Sequence, residues 1–256
     1  MKARELMEAL LGWSEEKIPN TVDTCKAGDP EREVKKVGTC FIATPEVIQN
    51  AAAWGADLLI THEPTYYEHH DNLAGRESDP IIQAKKRLIE QSGMTIWRFH
   101  DHLHGRLPDG IIEGELNKLG WQGDYDGRFY FTLAQKQTPR QIMAQLQEKW
   151  GISHIRMVGA ADTPISKISL LIGCPGEQMM MQALTGETEL LIGGEVCEWM
   201  CGEYARDAAQ MGFAKAILIC GHAGSERAGM EHVRDLIEKA YPDLACMYFE
   251  CGEVYE

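Results

Sequence analysis

Three short clusters of histidine and carboxylate stand out in this chain, each directly behind an apolar run. The first is His62-Glu63, closing the run Ala56-Asp57-Leu58-Leu59-Ile60-Thr61, after which Pro64 turns the chain away. The second is His100, Asp101, His102 and His104, behind the run 94–99. The third is His222 with Glu226, behind the run 216–220. Imidazole nitrogens and carboxylate oxygens are the ligands that suit zinc, iron, manganese, nickel or cobalt. Strand ends are also where open α/β proteins gather their chemistry. Three such coincidences in one chain point to a metal-dependent function.

Each cluster has its own geometric requirement. Adjacent residues on a strand face opposite ways, but past the strand end His62 and Glu63 can converge. His100, His102 and His104 alternate, so an extended segment puts all three on one side. Glu226 falls in the first turn of a helix that Gly224 or Ser225 would cap, while Gly221 and Gly224 allow close backbone approach. His69 and His70 sit in the polar loop 66–71, either as neighbours of the site or as further ligands. His154 and His232 read as ordinary helix or strand residues. No GxxxxGK[ST] phosphate loop and no GxSxG nucleophile elbow is present, and Gly193-Gly194 reads as a turn.

The elements that must carry these clusters alternate along the chain. Strands are expected over 34–43, 57–61, 94–99, 129–133, 154–158, 165–172, 189–192, 215–220 and 244–251. Thr44-Pro45-Glu46 opens a helix that ends near Gly55. Asp79-Pro80 opens 81–91, stopped by Gly93, and Thr138-Pro139 opens 140–150, stopped by Gly151. Further helices are expected over 111–119, 202–211 and 225–240. The strands behind the three clusters fit one parallel sheet with a common edge. Residues 120–128, rich in Gly and Asp, mark a boundary. The expected architecture is therefore α/β with two lobes: 1–125 plus 221–256, and 126–220, with the metal site between them.

Composition narrows the function classes. The chain has 256 residues and is 44% apolar, enough for one large domain or two modest ones. A formal charge of -14, from 39 acidic and 25 basic residues, opposes direct binding of nucleic acid phosphates. No apolar run of about 18 residues exists, so no membrane partner is expected. The segment Met1-Lys2-Ala3-Arg4-Glu5-Leu6 lacks an apolar core, so a signal peptide is not expected and a cytoplasmic location is. Eight cysteines are too few for a disulfide scaffold; Cys40, Cys174, Cys220 and Cys246 read as buried thiols. Cys197 and Cys201 form a CxxxC without a matching second pair, which reads as inert thiols ahead of a zinc site.

Taken with the motifs around them, the clusters resemble the NIF three-like dinuclear metal centre family, whose bacterial members are called GTP cyclohydrolase-like or YbgI-like. GDPEREVKKV followed by TPEVIQNAAAWGADLLITHEP carries the start of that resemblance. FHDHLH falls where the family has His-Thr-Asn-Leu-Asp after a strand, GEVCEW matches an internal Gly-Glu/Asp turn, and GHAGSERAGM matches the closing GH…SE element. The resemblance runs from about residue 28 to 230. It implies a two-lobed fold, each lobe a mixed sheet with flanking helices, assembled as a toroidal homohexamer. It further implies two divalent ions per chain (Zn, Fe, Mn, Ni or Co) on His62, Glu63, His104, His222 and Glu226.

Two positions depart from the family pattern. Glu63 stands where the family has the second of two adjacent histidines, and His104 stands where it has a bridging aspartate. The exchange leaves three histidines and two carboxylates, so the ligand charge is unchanged. A neutral imidazole cannot bridge two ions through one nitrogen, so Glu63 or Glu226 takes the bridge, or the site holds one ion. Asp101 is the reserve carboxylate. The implied activity is hydrolysis by metal-activated water, on a nucleotide or related heterocycle that no motif here identifies. Glu198, Glu195 or His100 would move protons, with Asp101 orienting a histidine. The rival is a non-catalytic metal-binding regulator that works through protein partners.

Overall fold

The computed structural model describes residues 1–255. In chain order the elements are α1 (Ala3–Leu11), β1 (Cys25–Ala27), β2 (Lys36–Cys40), α2 (Pro45–Trp54), β3 (Leu58–Thr61), α3 (Pro80–Ser92), β4 (Thr95–Arg98), α4 (Asp101–His104) and α5 (Gly110–Leu119). They continue with β5 (Gly123–Tyr125), β6 (Tyr130–Gln137), α6 (Pro139–Trp150), β7 (Arg156–Gly159), β8 (Ile165–Leu171), α7 (Glu177–Thr185) and β9 (Leu190–Gly193). A π-helical turn, Glu198–Gly202, leads into α8 (Glu203–Gln210), followed by β10 (Ala216–Ile219), α9 (His222–Ala240) and β11 (Ala245–Tyr248).

Local chemistry sets the helix edges. Thr44 accepts a hydrogen bond from the Val47 amide, Pro45 starts α2, and Gly55 ends it at φ 81. Asp79 accepts from the amides of Ile81 and Ile82 at the start of α3. Thr138 and Gln141 satisfy each other's backbone at the start of α6, a reciprocal cap. Each of these helices ends on a left-handed glycine, where a side chain would be strained.

The chain divides into two compact units, one of Met1–Ile111 with Gly229–Gly252, the other of Ile112–Ala228 with the last residues from Glu253. The sequence expectation set these changes at 125/126 and 220/221. The first unit holds a five-stranded sheet in the order β1-β4-β3-β2-β11. Its strands β4, β3, β2 and β11 are parallel, and β1 lies antiparallel on the β4 edge. Val47, Ile48 and Ala51 of α2 and Ile82 and Ile89 of α3 pack on Cys40, Leu59 and Ile96 of this sheet. The second unit holds a six-stranded sheet in the order β5-β6-β8-β9-β10-β7. Its centre, β8-β9-β10, is parallel and its flanks are antiparallel. Met180, Ala183 and Leu184 of α7 and Ala205 of α8 cover Leu171, Leu191 and Ile217 there.

The α/β class with two mixed sheets is as expected; the single shared sheet is not. β3 and β4, which precede the first two clusters, belong to the five-stranded sheet, whereas β10, which precedes His222, belongs to the six-stranded one. Apolar runs of similar composition do not state their partners, so two sheets read as one. The Gly- and Asp-rich stretch at 120–128 holds the edge strand β5.

Candidate metal centre

The first unit builds its site from strand register. β3 and β4 pair in parallel with Thr61 opposite Arg98, so both strands end level and release His62 and His100 side by side. The amides of His62 and Glu63 both donate to the Phe41 carbonyl, at 3.0 and 2.9 Å, bending the chain so that these adjacent side chains need not diverge. His62 is fully buried.

The second cluster is not extended, as the alternation of its histidines suggested. Asp101–His104 is one helical turn, and Asp23 makes it so. One Asp23 oxygen accepts from the amides of His100 and Asp101, at 2.6 and 2.9 Å. The other accepts from the amide and Nδ1 of His102, at 2.8 and 2.7 Å. A carboxylate over three exposed amides outweighs an extended path, because helix starts leave those donors unsatisfied. Helical spacing then puts His100 and His104 on one side and turns His102 to Asp23.

The result is a compact set of imidazoles. One nitrogen each from His62, His100 and His104 lies within 4.8 Å of the others. The His62 and His100 rings stack with centroids 4.5 Å apart. Each ring is held through Nδ1 by a group that only accepts: the Phe99 carbonyl for His62 at 3.1 Å, Asp101 for His100 at 2.9 Å, and Asp109 for His104 at 2.8 Å. A neutral ring that donates from Nδ1 carries its lone pair on Nε2. The Nε2 atoms of His62 and His104 face each other at 3.2 Å, and when both rings are neutral two lone pairs converge there. Such a donor set could hold a first-row divalent ion, and carboxylates or carbonyls behind ligand histidines are the usual support for one. Glu63 adds an oxygen 3.9 Å from His100 Nε2.

Electrostatics agree with a neutral His100. Burial pushes His100 down to about 4; the neighbouring His62 and His104 act in the same direction, and the hydrogen bond to Asp101 opposes them. Asp101 is held well below the usual carboxylate range, first by His100, then by the Val22 amide and the Thr21 hydroxyl. It is therefore a fixed anion.

The second unit presents a different arrangement. β8, β9 and β10 end together, with Leu171 opposite Gly193 and Gly193 opposite Ile219. α9 begins at His222, not at 225, because Gly221 at φ 74 makes the turn straight after the strand. Gly224 and Ser225 are thus inside the helix. The Ser225 hydroxyl donates to the His222 carbonyl and accepts from the Gly173 amide. His222 and Glu226 are one turn apart, with Nε2 to Oε2 at 3.2 Å, while His222 Nδ1 meets Glu195 at 2.9 Å. A side chain on Gly173, at φ 63, would run into the Glu226 carboxylate, so this glycine makes the room that the acid occupies.

The chain matches the family model of Duf34/NIF3 (NGG1p interacting factor 3) over residues 1–252. It belongs to the Duf34/NIF3 family. It is similar to a GTP cyclohydrolase 1 type 2 homolog of Clostridium perfringens, 26% identical over 209 residues, covering 78% of this chain and 76% of the relative. Among solved structures it is similar to a Bacillus cereus protein related to NIF3, with TM-score 0.78, 12% identity and coverage of 100% and 99%. It is also similar to Staphylococcus aureus protein SA1388, with TM-score 0.75, 16% identity and coverage of 100% and 98%. These likenesses establish the fold.

The remaining residues of this Duf34/NIF3 chain fall into place around the two arrangements. Glu198 opens the π-helical turn and pairs with Arg156 at 2.7 Å, both largely exposed. His69 meets the edge of His100 with centroids 6.0 Å apart, and His70 lies beyond it. All eight cysteines are free thiols, with Cys201 buried and Cys197 partly so. Asp23, Asp109 and Arg98 carry much of the site's geometry and were not singled out from sequence. Asp109, before Gly110, looks like a turn residue; Asp23 has no histidine near it in the chain. No helix among the described residues is long and apolar enough to cross a membrane.

Proposed function

We propose that this protein is a metal-dependent hydrolase of the Duf34/NIF3 family, acting on a nucleotide or a related heterocycle. The observation that carries the reading is the convergence of the His62 and His104 Nε2 atoms at 3.2 Å, with each Nδ1 given to a pure acceptor. A divalent ion bound there supplies Lewis acidity and makes water a nucleophile near neutral pH. The chain's own groups do the rest. Phe99, Asp101 and Asp109 fix the ring orientations, and the buried walls at His62 limit competing solvent. Glu63 is the carboxylate of this unit that takes a ligand or bridging role, and His222 with Glu226 is the second candidate ligand pair, within its own unit. The name of the Clostridium perfringens relative supports the substrate class.

The test is a turnover screen of metal-loaded protein against nucleotides and phosphate esters, with metal content measured on the same samples. Turnover that disappears with metal in His62→Ala supports the reading. Bound metal with no turnover across the panel favours a regulator that uses the ion structurally. Turnover retained in both His62→Ala and Glu63→Gln rules this site out. Light scattering on the purified protein tests the homohexamer that family resemblance implies.

A further inference from the structure

Arg98 is the last residue of β4 and is fully buried, in a strand whose other members are Thr95, Ile96 and Trp97. A guanidinium there bears a desolvation penalty that apolar packing would avoid. Its hydrogen bonds show what it holds. Nε donates to the His62 carbonyl at 2.9 Å, and Nη1 donates to the His69 carbonyl. Nη2 is buried, makes no hydrogen bond of its own, and stands 4.0 Å from the Glu63 carboxylate. Glu63 is the carboxylate that acts on Arg98 most strongly, ahead of Asp71, Asp101 and Asp23.

The fork geometry matters. A guanidinium is planar, and two carbonyls on two of its nitrogens set that plane. The third nitrogen is then aimed with little freedom. Here the two carbonyls belong to the two ends of one segment, 62–69, and the third nitrogen faces Glu63 inside it. His69 in turn edges onto His100, a member of the imidazole set.

We infer that Arg98 is a positioning residue of the candidate metal centre, holding Glu63 as an oriented carboxylate and clamping the loop through His69 beside the histidines. The inference rests on the metal-binding reading above, and Glu63 is the position at which this chain departs from its family's adjacent histidines. An ammonium in place of Arg98 would keep the charge near Glu63 but could not also hold both carbonyls, whereas a thioether would lose both roles.

Zinc affinity by chelator competition, with hydrogen exchange read over residues 63–71, tests this in the full chain. Arg98→Met is expected to weaken zinc roughly ten- to a hundred-fold, the range for losing a group that orients a ligand. In a Glu63→Gln background the same replacement should change zinc affinity little. Arg98→Lys, the variant more apt to stay folded, should keep most of the affinity and still speed exchange over 63–71. Equal losses in both backgrounds, or unchanged exchange in Arg98→Lys, would overturn the positioning role. Wild-type protein that binds no zinc, manganese, iron, cobalt or nickel overturns the metal reading itself, a result no Arg98 variant can produce.

Discussion

Two histidine arrangements in this molecule are supported in different ways. In the first unit His62, His100 and His104 give their Nδ1 atoms to a carbonyl or a carboxylate and turn Nε2 toward one another. In the second, His222 stands between Glu195 and Glu226, with an acceptor at each nitrogen. A neutral imidazole has one N–H, so the first set satisfies its supports and keeps lone pairs for a cation. Exposure does not separate the two arrangements: in the first, His62 is 0% exposed and the His104 side chain 30%, and in the second the His222 side chain is 25% exposed and that of Glu226 4%. The first site is a built coordination set; the second is a carboxylate pair organised around one ring.

Breaking each site in turn gives the largest expected effect. His62→Ala removes a nitrogen from the centre of the buried set, and metal binding there should fall by more than the roughly 10–100-fold typical of supporting residues. His222→Ala leaves that set intact. If two ions bind, elemental analysis should then show the ratio per chain dropping from two to one. If the wild type carries one ion and His222→Ala keeps it, the second arrangement is not a site of its own. Loss of all metal in His222→Ala alone would show that His62, His100 and His104 do not hold an ion by themselves.

A smaller effect should come from the supports. Asp109→Asn keeps the size of the side chain at His104 but replaces a fixed anion with an amide that can present either donor or acceptor. Metal affinity should fall by about 10–100-fold, with the fold retained. Asp101→Asn should act alike through His100, with an added loss of stability because Asp101 also accepts from Val22 and Thr21. Calorimetry for affinity and thermal melting for stability separate the two variants. Unchanged affinity in Asp109→Asn would show that the ring is oriented by packing alone.

How much of this was legible in the sequence follows from what each residue depends on. The clusters at 62–63, 100–104 and 222–226 stand out because each follows an apolar run that is a strand, whereas the choice of His62, Glu63, His104, His222 and Glu226 within them comes from the family resemblance. The capped helices were legible because Thr44, Asp79 and Thr138 act on their own next turn. Asp23 acts on a turn 77 residues away, and nothing near it in the chain announces that. For the same reason the conformation of 100–104 is not legible: the alternation of its histidines is a local signal that counts only in an extended segment, and the cap that makes it a helical turn is not local. The single sheet failed on similar grounds, since a strand's partner is a property of the fold and not of its own residues.

The last expected effect concerns protons, and it is read at the first site without any metal. His100 is pushed down to about 4, from an ordinary value of 6.5, first by burial and then by its histidine neighbours. Between those values the unfolded chain takes up a proton that the folded chain refuses. Stability of metal-free protein is therefore full above about pH 6.5 and falls as the pH drops toward 4, by at most on the order of 3 kcal/mol. Below that, Asp101 adds a further loss, because its folded-state value lies beneath that of the free acid. Hydrogen exchange should thus show the turn Asp101–His104 loosening on acidification. His100→Gln should flatten the dependence between pH 6.5 and 4 while leaving α9 unchanged. A wild-type profile already flat across that window would mean that His100 is solvated and charged in the folded protein.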